Sequence, residues 1–175
     1  MHWLKRLKAR PRFSEPLSAH TTLCVGGPAD VWLEPKDLAE LKEIVCSCLA
    51  EKLPYFAIGR GSNILASDKG FKGAVISLNT PAFTKMEFKG NYITCGGGLP
   101  LEKLIREAQK RGLGGLEFLA GIPATAAGAL VANAGNQKKA IGNLVKNITV
   151  MDKKGEEPIT KKERAAVWLS QVQLK

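Results

Sequence analysis

Two stretches of the chain place apolar residues at helical spacing, and short apolar runs of strand length surround them. In "PKDLAELKEIVCSCLAEK" the positions Leu38, Leu41, Ile44, Val45, Cys48 and Leu49 fall on one stripe, which predicts an amphipathic helix. In "PLEKLIREAQKRG" Leu101, Leu104, Ile105 and Ala108 share a face, Pro100 opens the segment and Gly112 follows it, so a second helix is predicted there. "ADVWLEP" reads as a short strand ending at Pro35, and "PYFAI" as a continuously apolar strand of the buried kind. Strand, helix, strand in that order predicts a right-handed parallel crossover. The turn "GRGSN" then lies at the carboxyl end of the second strand, where open α/β layers bind ligands.

A second region is expected from "GFKGAVISL" onward, antiparallel in character, because "KGN" separates two strand-like stretches in "AFTKMEFKGNYITCGGG" as a hairpin connection would. "GIPATAAGALVANAG" predicts a tight turn into a closely packed helix, and "NITVMDKKG" a last strand. With no internal repeat and no low-complexity linker, the two lobes are expected to pack directly on each other. The pattern therefore predicts an α+β protein: a basic leader over 1–15, a βαβ-like lobe with a parallel sheet over 16–72, and a mainly antiparallel sheet with helices over 73–160. A tail over 161–175 would follow.

At 175 residues, 45% hydrophobic and 24% charged, the chain has an ordinary globular composition. Its formal net charge of +10 fits an anionic partner of some kind, or solubility alone. Part of the excess lies in "MHWLKRLKARPRF", a short basic amphipathic helix that either packs on the protein or meets a membrane surface or nucleic acid. Nucleic acid is the weakest of the partner readings, since aromatic residues make up only 6% and no base-stacking pattern is present. The leader lacks the apolar stretch and cleavage site of a secretion signal, and no stretch approaches membrane-spanning length, so a cytoplasmic protein is expected. Cys24, Cys46, Cys48 and Cys95 include no C-x-x-C pair and only two histidines accompany them, so reduced thiols fit better than zinc ligands.

The chemistry turns on the glycines. A diphosphate needs several backbone N–H groups at short range, and side chains near the backbone block that approach. "GRGSN" has Gly59 and Gly61, the hydroxyl of Ser62, the amide of Asn63 and the charge of Arg60. It is neither the G-x-G-x-x-G dinucleotide fingerprint nor a Walker loop, and alone it is also compatible with an ordinary turn. Gly96 to Gly98 and "GIPATAAG" add two further glycine-lined turns, each ahead of a predicted helix, which favours a cradle.

"HTTLCVGGPADVWLEP", "GRGSNIL", "GAVISL", "GLEFLAGIPATAAGALVANAG" and "NITVMDKKGE", in that order and at these intervals, resemble the amino-terminal flavin-binding part of the UDP-N-acetylenolpyruvoylglucosamine reductase (MurB) family, from about Pro16 to Glu156. The resemblance implies two α+β lobes of the MurB/vanillyl-alcohol-oxidase type clasping FAD. It implies that Gly59, Arg60, Gly61, Ser62 and Asn63 line the pyrophosphate together with Gly121, Ile122, Ala124 and Thr125, that Asn133, Ala134 and Gly135 lie along the cofactor, and that Thr22 is near it. In that family NADPH reduces the flavin, which passes hydride to the enolpyruvyl group of a UDP-sugar in peptidoglycan precursor synthesis; all three ligands are diphosphates, as a basic chain suits.

The sequence departs from that family in three places. Members continue into a substrate domain that brings a Ser or Cys proton donor and a late Glu, and NADPH and the UDP-sugar would need that domain. At the place of the family's Tyr-Arg-x-Ser stretch this chain has Trp168 and Leu169, and leucine cannot donate hydrogen bonds to a developing enolate. Ala124 and Ala127 stand in a turn where the family shows glycines, which raises the question of a positive φ or of space taken from the pyrophosphate. The expected function is thus a flavin-binding module that is not catalytically complete in this chain and has no assigned catalytic residues, or alternatively an interaction or regulatory protein that keeps the fold without FAD. His20 is read as ordering its loop, Glu117 as orienting a turn, and Lys138 and Lys139 as a solvated loop.

Overall fold

The computed structural model describes residues 2–151, 159–160 and 168–174. A 3-10 turn, His2–Arg6, leads into strand β1 (Arg12–Pro16), followed by β2 (Pro28–Leu33), helix α1 (Leu38–Ala50), β3 (Tyr55–Ile58) and β4 (Phe71–Ser77). These strands form one sheet in the order β1-β2-β4-β3. β4 runs parallel to both β2 and β3, so the predicted crossover is present with β4 inserted between its two strands. That insertion corrects two expectations. The "GAVISL" stretch belongs to the first sheet, which is parallel over β2-β4-β3 and antiparallel only at β1-β2, rather than to the second, antiparallel region, which moves the division between the sheets beyond Ser77. "PYFAI" forms an edge strand whose Phe56 is 43% exposed, because the apolar run that lies between neighbours on both sides is β4.

One face of this sheet is covered by α1. Leu41, Ile44, Val45 and Cys48 pack on Val31, Leu33, Ala74 and Ile76, and burial of this apolar surface drives the docking. Leu38 and Leu49, at the margins of the predicted stripe, are exposed. Asp37 caps the helix by accepting the N–H of Glu40 at 2.8 Å. Glu40 is buried and accepts the N–H groups of Lys36 at 2.6 Å and Ala9 at 2.7 Å, so its carboxylate ties the leader to the helix. Trp3 and Leu4 join the same core, and β1 is hydrogen-bonded to β2. The leader is therefore a built-in part of the first lobe, folded as a 3-10 turn and a strand.

The second lobe consists of β5 (Met86–Lys89), β6 (Tyr92–Gly96), α2 (Leu101–Gln109), α3 (Ala126–Val131), β7 (Val145–Met151), β8 (Ile159–Thr160) and β9 (Trp168–Leu174). Its sheet has the order β5-β6-β9-β7-β8, antiparallel at every pairing, with "KGN" closing the β5–β6 hairpin as predicted. Trp168–Leu174, read from sequence as part of a tail, lies between β6 and β7 and bonds to both. A strand with two neighbours is integral to its sheet, so the lobe extends to Leu174. Leu101, Leu104 and Ala108 of α2 and Ala126 and Ala129 of α3 pack against Ile93, Cys95 and Leu174. No helix among the described residues is long and apolar enough to cross a membrane.

Candidate functional site

A cleft of about 1840 Å³ runs between the lobes, beyond the roughly 300–1,000 Å³ of most small-ligand pockets. Its first bank is the turn after β3, Gly59 to Asn63, together with Thr21 and Thr22; its second is Ile122 to Thr125 and the start of α3. Of the residues singled out from sequence, Thr22, Gly59, Arg60, Gly61, Ser62, Asn63, Ile122, Ala124, Thr125 and Ala134 line this one space. Gly121, Asn133 and Gly135 do not. Gly121 makes the turn ahead of the second bank with φ +82°, and Asn133, at φ +47°, accepts the N–H of Gly142 at 3.2 Å. Gly135 pairs with Ala140 in an isolated bridge. These residues shape the second bank from outside the cleft.

The two banks approach each other at Gly59, where a Cβ would stand 2.9 Å from Thr125 Oγ1. On the first bank the N–H groups of Arg60, Gly61, Ser62 and Asn63 donate to no group among the described residues. Unpaired backbone donors along a concave, glycine-containing turn form an anion-binding surface. Arg60 adds positive charge, and its Nη1 reaches Glu102 of α2 at 3.4 Å, with both side chains substantially exposed. Gly61 has φ +62°, and a Cβ there would collide with the carbonyl oxygen of His20.

Most donors of the second bank are taken, those of Gly121 and Thr125 excepted. Ala126 N–H donates to Leu99 O at 2.8 Å, Ala127 N–H to Gly97 O at 2.9 Å, and Gly128 N–H to the Thr125 hydroxyl that caps α3 at 3.1 Å. Neither Ala124 nor Ala127 has a positive φ. The substitution of glycine by alanine therefore carries no backbone strain here, and what remains is the added volume of two residues on the lining of the cleft, of which Ala124 is buried in the core of the second lobe. The other glycine turn noted in the sequence, Gly96 to Gly98, also has a structural basis: a Cβ at Gly98 would meet the carbonyl oxygen of Leu78.

The remaining sequence candidates are accounted for by local structure. Glu117 accepts the N–H of Gly115 at 2.8 Å, which holds its carboxyl below the usual carboxylate range and orients the preceding rather than the following turn. The N–H groups of Lys138 and Lys139 both donate to Asn136 Oδ1. Burial pushes the thiols of Cys48 and Cys95 up to about 12, so both stay protonated and unreactive, whereas Cys24 is exposed. Leu169 pairs with Val150 in the β9–β7 ladder; its side chain and that of Trp168 lie outside the described residues. Sequence reading gave His20 a loop-ordering role but missed Trp32 and the contact between them: both line the cleft and stack on each other at 3.7 Å. No local motif announces that contact, since twelve positions separate the two.

Residues 29–158 match the family described as FAD binding domain. The UDP-N-acetylenolpyruvoylglucosamine reductase of Heliobacterium modesticaldum is 43% identical over 141 residues, or 81% of this chain and 45% of the relative. That of Bacillus licheniformis is 41% identical over 153 residues, 87% and 50% respectively. The chain thus spans about half the length of the curated relatives it matches. Among solved structures, UDP-N-acetylenolpyruvylglucosamine reductase (MurB) from Thermus caldophilus is similar over 97% of this chain and 62% of that one, with a TM-score of 0.76 and 29% identity. 6-Hydroxy-D-nicotine oxidase from Arthrobacter nicotinovorans shares the fold alone, with a TM-score of 0.73 and 16% identity over 97% of this chain and 42% of that one.

Proposed function

The chain belongs to the FAD binding domain family, and on that premise we propose that it holds the FAD pyrophosphate against the Gly59–Asn63 turn and serves as the flavin module of a UDP-N-acetylenolpyruvoylglucosamine reductase. The observation that carries the first half is the row of N–H groups from Arg60 to Asn63, which have no partner among the described residues and lie along a cleft of dinucleotide size. In such a cradle the amides bind phosphate oxygens without side-chain interference, Ser62 and Asn63 add polar donors, and Arg60 adds charge. Thr22 flanks the turn. Ala124, Thr125 and Ala134, with the apolar Ile122 beside them, form an opposite wall of mostly small side chains that excludes water and lets the ligand approach closely.

The flavin, when bound, supplies the hydride chemistry, and the protein contributes binding, orientation and electrostatics. In the larger assignment NADPH is the hydride source, the enolpyruvyl UDP-sugar the acceptor, and the cytoplasm the compartment. The order of the matched segments along 81% of the chain supports that assignment. The idea that the fold is kept without FAD loses one of its arguments, backbone strain at Ala124 and Ala127, because both adopt ordinary backbone conformations.

The test is a visible absorption spectrum of the purified chain after FAD addition and desalting, with a thermal shift on FAD titration. A flavin spectrum that survives desalting is expected, and a colourless protein with an unmoved melting temperature would sink the proposal. NADPH oxidation with the UDP-sugar tests the larger assignment.

A further inference from the structure

We infer that His20 is a positioning residue for the cofactor turn: its imidazole, held between Glu15 and Trp32, fixes the loop that orients the peptide groups of Gly61 and Ser62. This rests on the reading of Gly59–Asn63 as the FAD-binding turn.

The imidazole is anchored on two strands at once. Its Nε2 lies 2.7 Å from Glu15 Oε1 of β1, and its ring stacks on the Trp32 indole of β2 with centroids 3.7 Å apart and planes inclined by 21°. Each partner is itself held. Arg12 Nη1 reaches the same Glu15 oxygen at 3.0 Å, Arg12 Nη2 reaches Glu34 at 3.3 Å, and its guanidinium lies 5.3 Å from the centre of the Trp32 ring. Trp32 Nε1 donates to Glu34 at 3.2 Å. The His20 side chain is 21% exposed. Closing a surface loop does not require so many partners, and Thr21 to Val25 closes without the ring. Cys24 N–H donates to Thr21 O at 3.1 Å, and Thr21 Oγ1 to Val25 O at 2.8 Å.

The anchored backbone meets Gly61 from both sides. The carbonyl oxygen of His20 fills the place where a Cβ of residue 61 would stand, and Thr22 N–H donates to Gly61 O at 3.1 Å. No peptide bond among the described residues is cis, and in a trans peptide the C=O of one residue and the N–H of the next point in opposite directions. Holding the Gly61 carbonyl on Thr22 therefore turns the Ser62 N–H away from the loop, where it has no protein partner among the described residues. The ring and the carbonyl that packs on Gly61 belong to one residue, so the anchoring of the ring on β1 and β2 bears directly on where that carbonyl stands. The core under α1 contains none of these groups, while Trp32 belongs to the smaller cluster with Leu17, Ala29, Ile58 and Val75, so the FAD-free melting temperature has to be read beside the affinity.

The experiment uses the full chain with His20→Ala, His20→Gln, Glu15→Gln, Arg60→Ala and Asn63→Ala, reading the FAD dissociation constant from flavin fluorescence and the melting temperature of the FAD-free protein from circular dichroism. His20→Ala is expected to weaken FAD binding by roughly tenfold or more, the scale of one or two lost partly buried contacts, while the FAD-free melting temperature stays within a few degrees of the parent. His20→Gln, whose amide nitrogen can stand near the place of Nε2, is expected to recover much of the affinity. Glu15→Gln carries the same signature should His20→Ala fail to fold: weaker FAD binding without matching loss of FAD-free stability. Parent-like affinity in the His20 and Glu15 variants, with Asn63→Ala or Arg60→Ala weakened, overturns the positioning role and leaves the turn as the FAD site. Unchanged affinity in all five variants removes FAD from the turn, and the positioning role goes with it. A loss of affinity that tracks loss of FAD-free stability, without recovery in His20→Gln, makes His20 a structural staple and also overturns the inference.

Discussion

Two glycine-containing turns face each other across the cleft, and their donors are in opposite states. The Gly59–Asn63 turn leaves the N–H groups of Arg60 to Asn63 without partners among the described residues. The Gly121–Gly128 segment donates most of its own, at Ile122, Ala124, Ala126, Ala127 and Gly128, to Leu119, Ile122, Leu99, Gly97 and Thr125, and leaves only those of Gly121 and Thr125 without a partner among the described residues. Glycine content does not separate them; hydrogen-bond accounting does. A glycine records that something comes close to the backbone, and at Gly61 and Gly98 that something is another stretch of this chain. A free donor in a concave wall is what a diphosphate requires. The comparison explains why alanine is accommodated on the second bank, where the segment packs as the start of a helix, and why Gly61 is constrained on the first.

The largest test of this contrast is Gly61→Ala. Positive φ and a collision with the His20 carbonyl act together, so a loss of about 3 kcal/mol in stability and loss of bound flavin are expected by chemical denaturation and absorbance. Retention of both would show that the turn is not constrained as described. Thr125→Ala removes the cap on Gly128 N–H and should cost about 1 kcal/mol. It also opens one donor on the second bank, so a gain in FAD affinity large enough to offset that loss would mean that the second bank binds phosphate too. Ala127→Gly is expected to lower stability by roughly 0.5–1 kcal/mol through helix propensity alone, with FAD affinity unchanged. A marked rise in affinity there would assign the cost of the methyl group to the cofactor. Smallest is Glu102→Gln, which releases Arg60 from an exposed ion pair worth about 0–1 kcal/mol. A severalfold tightening of FAD binding at low salt, fading at high salt, is expected, and absence of any salt-dependent difference would remove Arg60 from the phosphate site.

Much of the fold was legible because its signals are local. The stripe Leu41, Ile44, Val45 and Cys48, the Pro100 and Gly112 punctuation and the "KGN" hairpin each depend on residues close together in sequence, and each element appears where the pattern puts it. Sheet order was not legible. β4 reads like any apolar strand, and its place between β2 and β3 depends on pairings across dozens of residues. The same holds for β9, whose sequence "WLSQVQL" gives no sign that it fills the gap between β6 and β7. At the cleft, composition pointed to both glycine turns with equal weight. The state of their donors depends on Leu99, Gly97 and the loop at Thr22, which only folding brings into contact.

By itself the sequence determined the two main helices, the β5–β6 hairpin, the residues that supply the helices' apolar faces, and that polar, glycine-containing turns lie at element ends, because periodicity and turn chemistry act over a few residues. The tertiary structure decided which strand is central, which turn keeps its N–H groups open and which residue stands behind it. Those outcomes follow from excluded volume and hydrogen-bond pairing between distant segments: the His20 carbonyl occupies the space beside Gly61, Leu99 and Gly97 take the donors of Ala126 and Ala127 at the start of α3, and the consecutive amides of Arg60 to Asn63 are left without a partner among the described residues.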